Sequence, residues 1–270
     1  MNNEDAWREA ERRSRQILEK LISLSNEIIK HIDKSYPSKR LYNYRLLSFG
    51  YLSIGKSNAE SILLLTAHGL SHQLHYINRN MVEMVVNLHY IGNDDKNRAA
   101  LTQRYFDYKK VSAYKEMKII EKYPDIFSGG LFKLHKPKKL KDYDDYNLMY
   151  GKKNIQYWSG KNIFEMIDTI NDPEIKKKLL FLYELLLTKN NQYLHPSVNY
   201  LKDVLNKETD KFISEFNVMF IGSTLQLLDM IIHECLNLFP KGRPKFRTDL
   251  AEIYKGTESL NEFQMANGLL

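Results

Sequence analysis

Apolar residues recur at three- and four-residue spacing along nearly the whole chain, the period of helices that bury one face. Leu18, Leu21, Ile22, Ile28, Ile29 and Ile32 form such a stripe. It predicts a first helix from Asp5 to Lys34, ending before Ser35-Tyr36-Pro37. A shorter helix is expected from Arg40 to Leu52, closed by Ile54-Gly55. Ser57-Asn58-Ala59-Glu60 reads as a capping-box start for a long helical stretch to Ile91. Within it Leu74, Ile77, Met81, Met84, Leu88 and Ile91 form an unbroken seam. Gly69 can interrupt that stretch, since glycine costs about 1 kcal/mol relative to alanine in a helix.

Asn93-Asp94-Asp95 predicts the cap of another long helix to Tyr123, stopped by Pro124. From Phe127 to Gly160 the period fades among Gly129-Gly130, Pro137 and Gly151, which reads as a long loop or insertion. Asn162-Ile163-Phe164-Glu165 resembles a second capping box. Asp172-Pro173-Glu174 opens a helix that reaches Leu194 and ends or kinks at His195-Pro196. Another amphipathic helix spans Thr209 to Leu238, before Phe239-Pro240-Lys241-Gly242. The expectation is all-α: an antiparallel helix bundle with one long lysine- and tyrosine-rich insertion. The bundle would be a single domain over residues 1–245, with the insertion at about 127–160. Residues 246–270 would add a short helix and a C-terminal tail.

Composition narrows the class. Apolar residues at 43% and charged residues at 27% exclude a disordered chain. The single cysteine, Cys235, excludes a disulfide framework and thiolate metal clusters, and points to a reducing, cytoplasmic compartment. It lies between Ile232 and Leu236, as a buried structural thiol would. The polar first residues offer no signal peptide. Asp229 breaks the apolar run Val218–Ile232, and His68, Ser71 and His72 break Ser61–Leu74, so no membrane span is expected. A net charge of +7 favours anionic partners. P-loop, dinucleotide and G-x-S-x-G patterns are absent.

Three segments could carry chemistry. In the first, Lys189, Asn190 and Asn191 precede His195 at a helix end. A histidine moves protons near neutral pH, a lysine neutralises phosphate and an amide orients a reacting oxygen. Lys189 and His195 lie about 120° apart on an ideal helix, so they converge through the long lysine stem, a kink or a second subunit. Alternatively His195 simply favours the helix dipole. In the second, His68, His72, His75, Arg79 and Glu83 share an arc of about 80° if the helix runs through Gly69. A metal site there lacks further ligands, so no metal or cofactor is expected; a solvated or covered polar face fits better. Arg79 and Glu83 stand at ion-pair spacing, as a pair on a helix surface would. The third is the insertion, with eight lysines against three aspartates between Phe132 and Lys161. Lys138, Lys139, Lys141, Lys152 and Lys153 with Tyr157 and Trp158 suit single-stranded RNA, unless the rings pin the insertion to the bundle.

The order of several motifs resembles a bacterial family of unknown function related to the HEPN superfamily. They are Arg79-Asn80-Met81-Val82-Glu83, Leu88-His89-Tyr90-Ile91, Arg104-Tyr105-Phe106, Tyr157-Trp158-Ser159-Gly160, and Tyr183 with Tyr193-Leu194-His195-Pro196-Ser197. That resemblance implies a dimerising helix bundle and, in many members, a metal-independent endoribonuclease. In such enzymes an Arg and a following polar residue act with a His four to six residues after the Arg. His195 and Asn190 fit that pattern, while Lys189 stands where the family has arginine and gives up the bidentate grip on phosphate. The resemblance further implies RNA as partner, a homodimer, and a toxin or antiviral-defence effector held by a partner or antitoxin protein. The main alternative is a non-catalytic helical module for dimerisation or protein interaction; a metal enzyme on His68/His72 is a third.

Overall fold

The helical period is realised throughout a computed structural model, which describes residues 2–35, 43–70, 74–123, 130–152, 156–194, 210–239 and 243–269. In chain order the helices are α1 (Asn3–Ser35), α2 (Asn43–Ala67), α3 (Leu74–Gly92), α4 (Arg98–Asp107) and α5 (Lys109–Lys122). They continue as α6 (Gly130–Tyr150), α7 (Ile163–Ile167), α8 (Pro173–Leu194), α9 (Asp210–Leu238) and α10 (Arg243–Ala266). The fold is all-α, and no strand occurs among the described residues. Contacts group the chain into two units, one of Met1–His89 and Asp172–Leu270, the other of Tyr90–Asn171.

The first unit is a bundle around α9, which packs on α1 and α2, while α1 also packs on α2 and α10. Ser214–Leu238 is long and apolar enough to cross a membrane by length and composition alone; here it is the core helix. Asp229, which breaks its apolar run, accepts a hydrogen bond from the Tyr254 hydroxyl of α10 at 2.9 Å. His233 meets the same phenol. Cys235 is buried, and its thiol donates to the Ser48 carbonyl at 3.1 Å.

Four expectations are corrected. First, α2 runs unbroken through Gly55 and Ser57, so neither is a helix boundary. Gly55 instead permits close packing: a Cβ there would lie 3.1 Å from Ile231 Cδ1 and 3.4 Å from Leu228 Cδ1. The stop comes at Gly69, with φ +66°, where the Leu70 N–H donates to the Leu65 carbonyl and the Gly69 N–H to Thr66. That is a Schellman ending, and it divides the histidine arc. His68 is exposed, His72 lies outside the described residues, and His75 is fully buried, edge-on to Phe216 and Phe220.

Second, α4 begins at Arg98 rather than at Asn93-Asp94-Asp95, because Asp94 closes a turn onto Asn97. The helix to Lys122 is interrupted once, at Tyr108. Third, the expected loop from Phe127 to Gly160 contains the 21-residue α6, which carries Pro137 inside it. Tyr143, Tyr146 and Tyr150 follow helical spacing and hold it against the rest of the second unit, offsetting a proline cost of about 3 kcal/mol. Gly151, with φ +79°, ends α6, its N–H donating to the Asn147 carbonyl. Fourth, the C-terminal segment is no short helix with a tail: α10 has 24 residues and buries Phe246, Leu250, Ile253 and Leu260. The capping box at Asn162 and Glu165 and the Asp172 cap ahead of Pro173 form as expected.

Gly55→Leu should lower stability by about 1–3 kcal/mol through overpacking against α9. Gly50→Ala, with no atom within 4 Å of the added Cβ, should raise it by up to about 1 kcal/mol. Urea midpoints of the two variants test this contrast; a Gly55→Leu chain as stable as the parent would refute the close approach.

Candidate nucleic-acid interface

The second unit separates its rings from its lysines. Tyr143 stacks on Tyr114 of α5 with centroids 3.8 Å apart. Tyr146 is buried and lies against Tyr108 and Tyr150. The Tyr150 hydroxyl donates to Asp107 Oδ2 at 2.9 Å, and the Tyr108 hydroxyl donates to the Gln156 carbonyl. Trp158 is buried edge-to-face with Tyr90 and Tyr105. Of the two rings expected to stack on bases, Trp158 therefore belongs to the unit's interior. Tyr157 is exposed.

Burial pushes the Tyr146 phenol up to about 12. Burial, reinforced by the Asp107 carboxylate, pushes Tyr150 up to about 12 as well. Both are neutral in the fold.

The lysines stay outside. Helix α5 opens with Lys109 and Lys110, and α6 presents Lys138 and Lys139; these four, with Ala113 and Asp142, line a groove of about 420 Å³. Asp107 sits 3.4 Å from Lys110 Nζ, and Lys136 is paired with Glu121 at 2.7 Å. Lys141 and Lys152 are exposed on the same unit, and Lys153 lies outside the described residues. The structure thus brings Lys138 and Lys139 together with two lysines that the sequence pattern does not single out. The dipeptide Lys109-Lys110 is plain in the sequence, but its partner face becomes apparent only once 130–150 is a helix.

The other candidates are placed less completely. Helix α8 carries Lys189, Asn190 and Asn191 near its C-terminal end; their side chains, and all of His195, lie outside the described residues. Arg79 Nε donates to Glu83 Oε1 at 3.1 Å in a half-buried pair, with the guanidinium 6.0 Å from the Tyr183 ring centre. His89, from one of the quoted motifs, is buried with Nδ1 3.6 Å from Glu234 Oε1, and burial pushes its imidazole down. No group of three or more metal-ligating side chains occurs among the described residues.

Residues 57–212, more than half of the chain, match a family of unknown function, DUF5677, and the chain belongs to that family. No curated protein and no solved structure matches it.

Because Tyr146 and Tyr150 are raised above their unfolded value, their contribution to stability is complete below about pH 10 and lost as pH rises through about 12. An ultraviolet pH titration should show a late-ionising phenol fraction that shrinks in Tyr150→Phe. An unchanged late fraction in that variant would contradict the assignment.

Proposed function

We propose that this member of the DUF5677 family binds single-stranded RNA, seating the strand's phosphates in the lysine groove between α5 and α6. The observation that carries the reading is the convergence of Lys109, Lys110, Lys138 and Lys139 from two helices on one groove, against a single lining carboxylate. Ammonium groups on a groove engage a phosphate backbone without reading sequence. The rings of the unit are largely committed to its core, so base stacking contributes little beyond Tyr157.

The ribonuclease half of the proposal rests on the resemblance to HEPN proteins. His195 would assist attack of the ribose 2′-hydroxyl, Lys189 would neutralise the phosphate, and Asn190 and Asn191 would orient it. Lys189 and Asn190 belong to α8, whose backbone is helical to Leu194, and on this reading a second copy would complete the site with His195. A toxin or defence effector would act in this way. The rival reading, a protein-interaction module, draws on Leu148 and Met149, apolar side chains 89% and 66% exposed on α6.

The test uses the full chain, a labelled single-stranded RNA and excess chelator. Lys109→Gln/Lys138→Gln/Lys139→Gln should weaken binding at least about tenfold and flatten the salt dependence by about 0.7 for each phosphate no longer neutralised. His195→Ala should reduce cleavage by about 10²–10⁴-fold without changing binding, and Lys189→Arg should keep or raise it. RNA binding insensitive to the triple variant would sink the groove; binding with no cleavage by the parent would select the non-catalytic module.

A further inference from the structure

A second cavity in the Tyr90–Asn171 unit differs in kind from the groove. It is a polar pocket of about 460 Å³ beside the turn between α3 and α4. The turn's own carboxylates are engaged locally. Asp94 accepts from the Asn97 backbone N–H at 3.1 Å and from Asn97 Nδ2 at 2.9 Å. Asp95 is paired with Arg98, which also donates to the Gly92 carbonyl. Two cations line the pocket from outside this turn: Arg104 of α4, and Lys161 just ahead of the α7 cap. Both act on Tyr90. The Lys161 ammonium lies 5.6 Å from the ring centre and forms no ion pair among the described residues. Burial raises the Tyr90 phenol, and the Arg104 charge opposes that rise. The amides of Asn93, Asn97 and Asn171 and the Thr169 hydroxyl, which donates to the Met166 carbonyl at 2.7 Å, complete the polar lining.

We propose that this pocket binds a phosphate monoester. A monoester carries about −1.5 to −2 charge and three acceptor oxygens at neutral pH. Guanidinium, ammonium and amide donors match those oxygens. With Asp94 included, the lining has one net positive charge, which suits a single phosphoryl group better than a chain of them. The volume falls in the range of about 300–1,000 Å³ typical of small-molecule sites, leaving room for an organic group beyond the phosphate. That group could belong to a free sugar phosphate or to the 5′-phosphorylated end of an RNA strand; the chemistry recognised is the same.

The site is separate from the lysine groove, so the two can fail independently. Trp158 meets Tyr90 edge-to-face at 5.7 Å, and Trp7→Phe leaves it the only indole in the full chain. Its fluorescence should respond saturably to ribose 5-phosphate and not to ribose. Lys161→Gln should weaken that response at least about tenfold, equivalent to about 1.4 kcal/mol, and Lys161→Arg should restore it. Lys138→Gln/Lys139→Gln should leave it unchanged. A 5′-phosphorylated oligoribonucleotide that binds more tightly than its 5′-hydroxyl counterpart, with the preference lost in Lys161→Gln, identifies the RNA end as the source. Equal binding of the two, with ribose 5-phosphate still saturating, identifies a free monoester. No saturable response to ribose 5-phosphate by about 10 mM, well above a ~1 mM affinity, overturns the proposal. So does a response that survives Lys161→Gln or depends on Lys138 and Lys139.

Discussion

Helix α9 sets the terms for the first unit, because it is too apolar to stand at a surface and its few polar groups must each be answered. Burying an unpaired amide or hydroxyl costs about 1–3 kcal/mol. Thr224 donates to the buried amide of Asn78 on α3, and Asn78 in turn donates to the Phe220 carbonyl. Asn217 donates to Glu11 of α1. Glu234 sits 3.4 Å from the Tyr44 hydroxyl of α2, and Cys235 donates to Ser48 of the same helix. Each pair ties one neighbour to one position along α9. Hydrophobic burial alone would permit sliding; these directional bonds do not. Gly55 adds a steric version of the same constraint, since its missing side chain is what lets α2 approach Leu228 and Ile231.

The helical class is legible in the sequence because a 3.6-residue period survives whatever the helices pack against. The seam from Leu74 to Ile91 is buried apart from the half-buried Ile77, and the two caps at Asn162 and Asp172 form. Boundaries are less legible, for identifiable reasons. Gly55 looks like a terminator in one dimension and is a contact point in three. Ser57 has a capping residue's chemistry but sits mid-helix, where its backbone N–H already has a partner. Helix α6 is hidden because its periodic residues are tyrosines among lysines, which look like rings available for bases rather than one face of a helix. Pro137 and the neighbouring glycines deepen that disguise. His75 shows the opposite failure: placed on a polar arc by spacing, it is turned inward by the break at Gly69 and surrounded by phenylalanines.

The candidate site residues divide along the same line. Lys138 and Lys139 can be found from local charge, because a run of lysines is visible without tertiary context. Lys109 and Lys110 cannot be joined to them without knowing that two helices lie side by side. Trp158 is a reasonable candidate on composition and is lost to packing, the commoner fate of a large ring.

What results is a unit in which two kinds of cationic site make different demands. Ammonium groups such as those lining the groove act as point charges, and on the proposed reading they would tolerate any phosphate that arrives. Arg104 and Lys161 stand beside an aromatic ring, with amides placed to accept or donate, so a ligand there must match shape as well as charge. On the proposed readings the groove would serve sequence-tolerant attachment, and the pocket discrimination of a single group. That contrast follows from where the unit spends its tyrosines. Tyr143 is consumed in holding α6 against α5, and Tyr146 and Tyr150 against Tyr108 and Asp107, whereas Tyr90 lines the polar pocket.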